Sequence, residues 1–286
     1  MQKLGQHFLK NEAALEKIVA ALALANGDRV IEIGPGHGEL TVPLVAAARG
    51  NNGVIISIEK DRALVPALTD LGKKESPEVL SIIEGNALKL LPEVVARFSP
   101  RTQPKAANAP RYKLVGNIPY YITGKLLRII SDLEHKPERT VLLIQKEVAE
   151  RICAAPGEMN RLAASVQFWA DVTIVAQVPR KDFSPPPKVD SAVIVLVSKS
   201  AAKKSTARGA GAAPSIDPAL YYSAVRGIFA QPRKTLLNNL SSATGGTAAK
   251  GGITTQLQKL GIDPAARPQE LSIEAIIAIA KSPLWG

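Results

Sequence analysis

Residues 29–38 constrain the fold more than any other stretch of the chain. Arg29 through Ile33 is a run suited to a buried strand, and Gly34-Pro35-Gly36-His37-Gly38 follows it directly. Residues 39–48 then carry a helical pattern. Strand, glycine loop and helix in that order form the first unit of a doubly wound, nucleotide-binding α/β sheet. The glycines let the main chain approach a ligand and adopt turns closed to other residues. A dinucleotide fingerprint requires a further glycine three residues after the second, and that position is Glu39. The pattern is instead acid-x-Gly-x-Gly-x-Gly on Glu32, Gly34, Gly36 and Gly38. The alternative is a glycine turn that holds no ligand.

The next strands place more polar groups near that loop. A strand over 54–58 ends in Glu59, 25 positions after Gly34. An acid at the end of the second strand of such a sheet accepts hydrogen bonds from ribose hydroxyls; the bland alternative is a solvated surface glutamate. A third strand over 79–83 leads to Asn86. Its carboxamide meets an adenine ring, with the oxygen accepting from the ring's amine, or caps the helix expected over 87–98, or does both. A fourth strand over 112–115 ends at Gly116 and opens into Asn117-Ile118-Pro119-Tyr120-Tyr121. With only 4% aromatic residues in the chain, two adjacent tyrosines in one loop stand out. Asn117 offers a carboxamide acceptor, Pro119 rigidity and a carbonyl, and Tyr120 a face for a base. Together they suit an extruded nucleobase gripped by its exocyclic amine. The competing reading is a strand-to-helix junction with its tyrosines in the core.

The remaining segments organise the chain. Residues 1–10 precede a helix capped by Asn11, and residues 99–111 read as a surface insertion. Helical patterns over 124–133, 146–154 and 161–168 and strands over 140–145, 172–178 and 192–197 complete an α/β domain over 1–198. Between the last two strands Phe183-Ser184-Pro185-Pro186-Pro187 forms a stiff arm. It either holds Phe183 against whatever the Tyr120 loop holds or is a rigid connection without a ligand. Residues 199–214 are a linker by composition, and 215–286 an all-helical domain. Its expected helices are 218–230, 232–240 opened by Pro232, 253–260 and 269–280, with a loop at 241–252.

Charge narrows the partners. The chain carries a formal +11, with 11 Lys/Arg against 4 Asp/Glu in residues 191–286. Such a balance fits nucleic acid or an anionic membrane surface, or a merely soluble basic protein. Arg226, Arg233 and Lys234 are candidates for phosphate contact, against the alternative of a solvated helix face. One cysteine, Cys153, excludes a disulfide framework, and three scattered histidines give no metal site. The absence of a long apolar run and of a signal-type N-terminus leads us to expect a soluble cytoplasmic protein.

Read together, the motifs resemble one family. Gln6-His7-Phe8-Leu9, Glu-Ile-Gly-Pro-Gly, Asn-Ile-Pro-Tyr, Gln145-Lys146-Glu147-Val148, Phe-Ser-Pro-Pro-Pro-Lys-Val-Asp-Ser-Ala, Arg-Lys-Thr-Leu and Gly261-Ile262-Asp263-Pro264 occur in this order. They are similar to those of the small-subunit ribosomal RNA adenine dimethyltransferases. The resemblance implies a Rossmann-like class I S-adenosylmethionine methyltransferase sheet with a small helical C-terminal domain. It implies dimethylation of two adjacent adenosines in the 3′-terminal hairpin loop of 16S rRNA, on the assembling small subunit. It implies a cofactor site of His7, Leu9, Gly34, Gly36, Glu59, Asn86 and Asn117, and a base site of Asn117, Pro119, Tyr120 and Phe183. A monomer is expected. Asn86 departs from the aspartate of many relatives. The rival readings are a resistance-type 23S rRNA methyltransferase and a non-catalytic RNA-binding assembly factor.

Overall fold

The computed structural model describes residues 6–75, 77–97, 112–199, 216–244 and 250–285. The insertion expected at 99–111, and all of the expected linker except Lys199, lie outside the described residues. In chain order the first elements are β1 (Phe8–Leu9), α1 (Glu12–Ala21), β2 (Arg29–Ile33), α2 (Thr41–Arg49), β3 (Val54–Glu59), α3 (Val65–Glu75), β4 (Leu80–Glu84) and α4 (Ala87–Ala96). They are followed by β5 (Tyr112–Asn117), a 3₁₀ turn (Tyr120–Ile122), α5 (Thr123–Asp132), β6 (Arg139–Gln145), α6 (Lys146–Ile152) and α7 (Arg161–Gln167). Then come β7 (Ala170–Val178), β8 (Phe183–Ser184) and β9 (Ser191–Ser198). Asn11 caps α1 as its sequence position suggests, its Oδ1 accepting from Ala14 N at 3.0 Å.

Seven strands form one sheet in the order β4-β3-β2-β5-β6-β9-β7. The pairs from β4 through β6 are parallel, and β9 runs antiparallel to β6. Parallel neighbours require crossovers, which α2, α3, α4 and α5 supply. Helices on both faces explain why the strands are apolar almost throughout. Val30, Ile31, Leu114, Val141 and Leu143 are each at most 1% exposed. The chain moves from β2 to β3 on one side, while β5 lies on the other. That is the topological switch point, where the loops leaving two strands diverge and open a crevice.

A buried ion pair and a buried acid brace this sheet. At its lower edge Lys113 Nζ lies 2.6 Å from Asp28 Oδ2 and also donates to Ala23 O, which fixes the loop before β2 against the start of β5. On β2, Glu32 is 1% exposed and receives Thr41 Oγ1 at 2.9 Å and Ser57 Oγ at 2.6 Å. Loss of hydration pushes its pKa up to about 7 against the lowering effect of those two hydroxyls, with Glu59 and Glu39 adding to the rise.

The chain divides into two compact units, one of Met1–Ala149 with Val172–Ser205, the other of Glu150–Asp171 with Thr206–Gly286. Residues 150–171, placed with the α/β domain in the sequence, thus group by contacts with the helical segment. Tyr221 donates its hydroxyl to Ala164 O at 2.9 Å, Phe168 stacks on Tyr221 with centroids 3.8 Å apart, and Gly157 N and Met159 N both donate to Gln269 O. The second unit also holds α8 (Pro218–Ile228), α9 (Leu236–Ala243), α10 (Lys250–Lys259) and α11 (Ile273–Lys281). Pro232 does not open α9: Thr235 is the N-cap, and Pro232 lies in the preceding turn. The helix expected over 269–280 is a 3₁₀ turn, Pro268–Glu270, followed by α11, because Ser272 caps the latter. Much of the expected loop at 241–252 is helix, since α9 runs to Ala243 and α10 starts at Lys250.

Asn239, 1% exposed, staples the turn before α9. Its Nδ2 lies 3.0, 3.3 and 3.1 Å from the carbonyls of Gln231, Lys234 and Thr235, and its Oδ1 accepts from Gln231 N at 2.8 Å. Asn239→Ala should lower unfolding stability by about 2 kcal/mol, since it leaves buried partners unpaired. Asn239→Asp should cost more, because it points a carboxylate at three carbonyls; denaturant titration of both variants checks the order.

Glu32 generates a pH prediction. Its folded pKa lies above the ordinary carboxylate value, so the native state binds this proton more tightly than the unfolded chain does. The resulting penalty is absent below about pH 4.5 and fully present above about pH 7. Relative to Glu32→Gln, the wild type should lose on the order of 3 kcal/mol of stability across that interval, read from denaturation midpoints at several pH values.

Candidate active site

At the switch point the main chains leaving β2 and β5 nearly touch. A Cβ on Gly116 would lie 2.7 Å from Ile33 O and 2.9 Å from Ile118 Cγ2, so no other residue fits there without displacing backbone. Beyond it the glycine loop turns through φ values of +68° at Gly34, +63° at Gly36 and +97° at Gly38. These are left-handed conformations that glycine adopts freely. The loop is held from the next strand. Glu59, 3% exposed at the end of β3, accepts Gly36 N at 3.0 Å through Oε2 and Asp61 N at 2.7 Å through Oε1. Each carboxylate oxygen keeps a lone pair for a further donor.

The N-terminal segment straps both loops. Phe8 covers the glycine turn, its Cε1 only 2.9 Å from where a Gly36 Cβ would sit, and its ring lies 4.2 Å from that of His37. Lys10 Nζ pairs with Glu39 Oε1 at 2.7 Å. His7 O accepts from Asn117 Nδ2 at 3.0 Å. This last bond settles the orientation of the carboxamide. The amino end must face a carbonyl, so Oδ1 points the other way, and among the described residues it accepts no hydrogen bond.

The loop after β5 is rigid as well. Pro119 begins the 3₁₀ turn, and its carbonyl already accepts Ile122 N at 3.1 Å, an engagement the sequence did not reveal. Ile118 O takes no part in that turn. Tyr120 anchors its hydroxyl on Ser191 Oγ at 2.7 Å, while its ring lies 6.0 Å from that of His7 at 27°. Burial pushes the phenol's pKa up, the Ser191 bond lowers it and Asp190 raises it; the group stays protonated and offers a face, not a base.

One cavity is lined by His7, Leu9, Gly34, Gly36, Glu59, Asn86, Asn117, Pro119 and Tyr120. The structure thus gathers these residues from sequence positions 7 to 120. Asn86 takes the capping role that was one of its two readings: its Oδ1 receives Leu88 N at 3.0 Å at the start of α4, and one lone pair remains for a further donor. One expectation comes out differently. Phe183 does not line the cavity. It is 4% exposed, paired with Leu9 in the two-stranded β1–β8 ribbon and packed into the hydrophobic core. Arg226, Arg233 and Lys234 are exposed, all in the second unit. The cavity also draws in Phe8, Lys60, Ile118 and Tyr121, which sequence reasoning did not select. Phe8 and Ile118 stood inside recognised motifs, but nothing in one sequence says which apolar residue of a motif faces a crevice.

Comparison with known proteins agrees with this geometry. The model of the family described as ribosomal RNA adenine dimethylase matches residues 1–282. A protein named ribosomal RNA small subunit methyltransferase A from Dehalococcoides mccartyi is 38% identical over 271 residues, covering 95% of this chain and 84% of its own. A protein of the same name from Synechococcus elongatus is 36% identical, covering 97% and 93%. Among solved structures, a dimethyladenosine transferase from Plasmodium falciparum superposes with a TM-score of 0.73 at 26% identity, covering 96% of both chains. The 23S rRNA methyltransferase ErmE shares the fold at a TM-score of 0.68 and 22% identity, covering 96% of this chain and 98% of its own. A family match over residues 1–282, together with relatives 36–38% identical over nearly the whole chain, means that the chain belongs to the ribosomal RNA adenine dimethylase family.

Proposed function

We propose that this protein transfers methyl groups from S-adenosylmethionine to the exocyclic amines of two adjacent adenosines in the 3′-terminal hairpin loop of 16S rRNA, on the assembling small subunit. The observation that carries the reading is the placement of Asn117: its amino group donates to His7 O, its oxygen has no donor among the described residues, and the residue lines the cavity shared with Gly34 and Glu59. The names of the relatives, which specify the small ribosomal subunit, favour 16S over 23S rRNA.

The residues present fit the cofactor. The left-handed turn at Gly34, which also lines the cavity, brings main chain without a side chain to the ligand space, and Glu59 retains acceptor capacity for ribose hydroxyls. Leu9 supplies an apolar wall, His7 lies beside Asn117, and Asn86 stands at the mouth of α4 with its amide hydrogens available. When bound, S-adenosylmethionine supplies an electrophilic methyl group on a sulfonium.

The adenine amine is a weak nucleophile because its lone pair is shared with the ring. Asn117 Oδ1 accepts one of its hydrogens, and a carbonyl of the Ile118-Pro119 pair accepts the other. Of those two, Pro119 O already serves Ile122 N, while Ile118 O is not used in the turn. Two acceptors localise the lone pair toward the methyl group. Tyr120 meets one face of the base and fixes the line of attack. Rate acceleration then comes from positioning and from acceptors that need no reorganisation. The base must leave its stack to reach them.

Isolated small and large subunits that lack the modification, incubated with labelled cofactor and then mapped, test the substrate. Methyl groups on adjacent adenosines of 16S rRNA support the reading, and label confined to 23S rRNA refutes it. Asn117→Ala should lower kcat by about 10²–10³ or more while rRNA binding persists. Glu59→Ala should weaken cofactor binding by about 1.5–3 kcal/mol in calorimetry, since it removes both a charged acceptor and the anchor of Gly36 N.

A further inference from the structure

We propose that Tyr121 is a stacking platform for the nucleotide next to the one whose base enters the cavity, and that the exposed face of α5 carries the phosphates of that strand. The inference rests on the reading that the substrate is an RNA adenosine.

Tyr120 and Tyr121 are neighbours in a 3₁₀ turn, where successive side chains point about 120° apart. Tyr120 is turned inward and anchored on Ser191. Tyr121 is turned outward and is 65% exposed, yet it still lines the cavity. The other exposed large hydrophobic side chains among the described residues are valines at 37–48%. A tyrosine left so far in water at the rim of a cleft contributes little to the fold and offers a flat face to a ligand. A base drawn into the cavity brings its strand neighbours to this rim, since they are covalently tied to it. Stacking on an exposed aromatic ring tolerates any base and suits a single-stranded loop.

The helix continues the same surface. Tyr121, Gly124, Lys125 and Arg128 are all exposed and follow one another at helical spacing. Lys125 lies about 6 Å along the axis from Tyr121, and it has no ion pair among the described residues. Arg128 Nε pairs with Asp132 Oδ2 at 2.9 Å, but both side chains are more than half exposed, so the pair exchanges readily for a phosphate. Gly124 places no side chain between the ring and the two cations. Sequence thus sets an aromatic face and then a basic stripe leading away from the base site.

Kinetics on small-subunit particles lacking the modification test the proposal with Tyr121→Ala and Tyr121→Phe. Tyr121→Ala should raise the KM for the particle about tenfold or more, with the loss concentrated in KM and the thermal midpoint near wild type. Tyr121→Phe should stay within about twofold of wild type, because stacking needs the ring and not the hydroxyl. A Tyr121→Ala KM equal to wild type overturns the proposal, as does equal impairment of the two variants. A second measurement separates this from the substrate reading. A short single-stranded RNA carrying 2-aminopurine beside one adenosine should show fluorescence quenching by wild type and Tyr121→Phe, and markedly less by Tyr121→Ala. Quenching that is identical in all three proteins overturns the stacking role. Wild type that quenches the oligonucleotide but leaves the particle unmethylated overturns the small-subunit substrate and leaves the stacking role supported. In the same binding assay Lys125→Ala should reduce the salt slope by about one counterion, and an unchanged slope overturns the phosphate path.

Discussion

The site depends on how closely two strands approach at their carboxyl ends. Gly116 has no space for a Cβ against Ile33 O, and Gly34 lies against the main chain of Asn117. Because the strands cannot be pushed apart without disturbing the sheet, the glycine loop after β2 and the Asn117 loop after β5 open from nearly one point. A cofactor placed on the first loop is then automatically beside a base placed on the second. The sheet order, with β3 and β5 on opposite sides of β2, supplies the crevice between them.

Around that point the protein uses polar groups to orient other polar groups. Asn117 is turned by a main-chain carbonyl from residue 7, and Glu59 is fixed by two main-chain N–H groups, Gly36 and Asp61. Glu32, one strand away, is denied water and meets only two hydroxyls, which is why its proton is held so much more tightly than usual. The acid that faces the cavity is therefore surrounded by donors, while the acid beneath it serves the join between β2, α2 and β3. Tyr120 is treated similarly: Ser191 takes its hydroxyl and leaves its ring for contact. No strong base is needed for this chemistry, since the methylated amine is acidic enough to lose its proton to solvent.

Several features were legible in the residues alone because their causes are local. The glycine loop follows from backbone freedom, the Asn11 cap from a side chain bonding three residues on, and the buried strands from their apolar runs. Other features depended on partners far along the chain. Phe183 was expected at the base, but pairing with Leu9 across the β1–β8 ribbon turns it into the core. The segment 150–171 follows the α/β strands in sequence, yet Phe168 and Ala164 find their partners on Tyr221. Pro232 carried a helix-start signal that Thr235 outcompetes, because a side-chain cap three residues later satisfies a helix N–H that proline cannot.

By itself the sequence determined the succession of strands and helices, the glycine turn, the identity of the amide and aromatic groups, and hence the family. These are properties of single residues and their near neighbours in the chain. Only the tertiary structure decided which face each group presents. The His7 carbonyl chose the orientation of the Asn117 amide from 110 residues away, and the 3₁₀ turn sent Tyr120 inward and Tyr121 outward. Orientation is settled by contacts between segments distant in sequence, and no local pattern encodes the direction from which such a contact arrives.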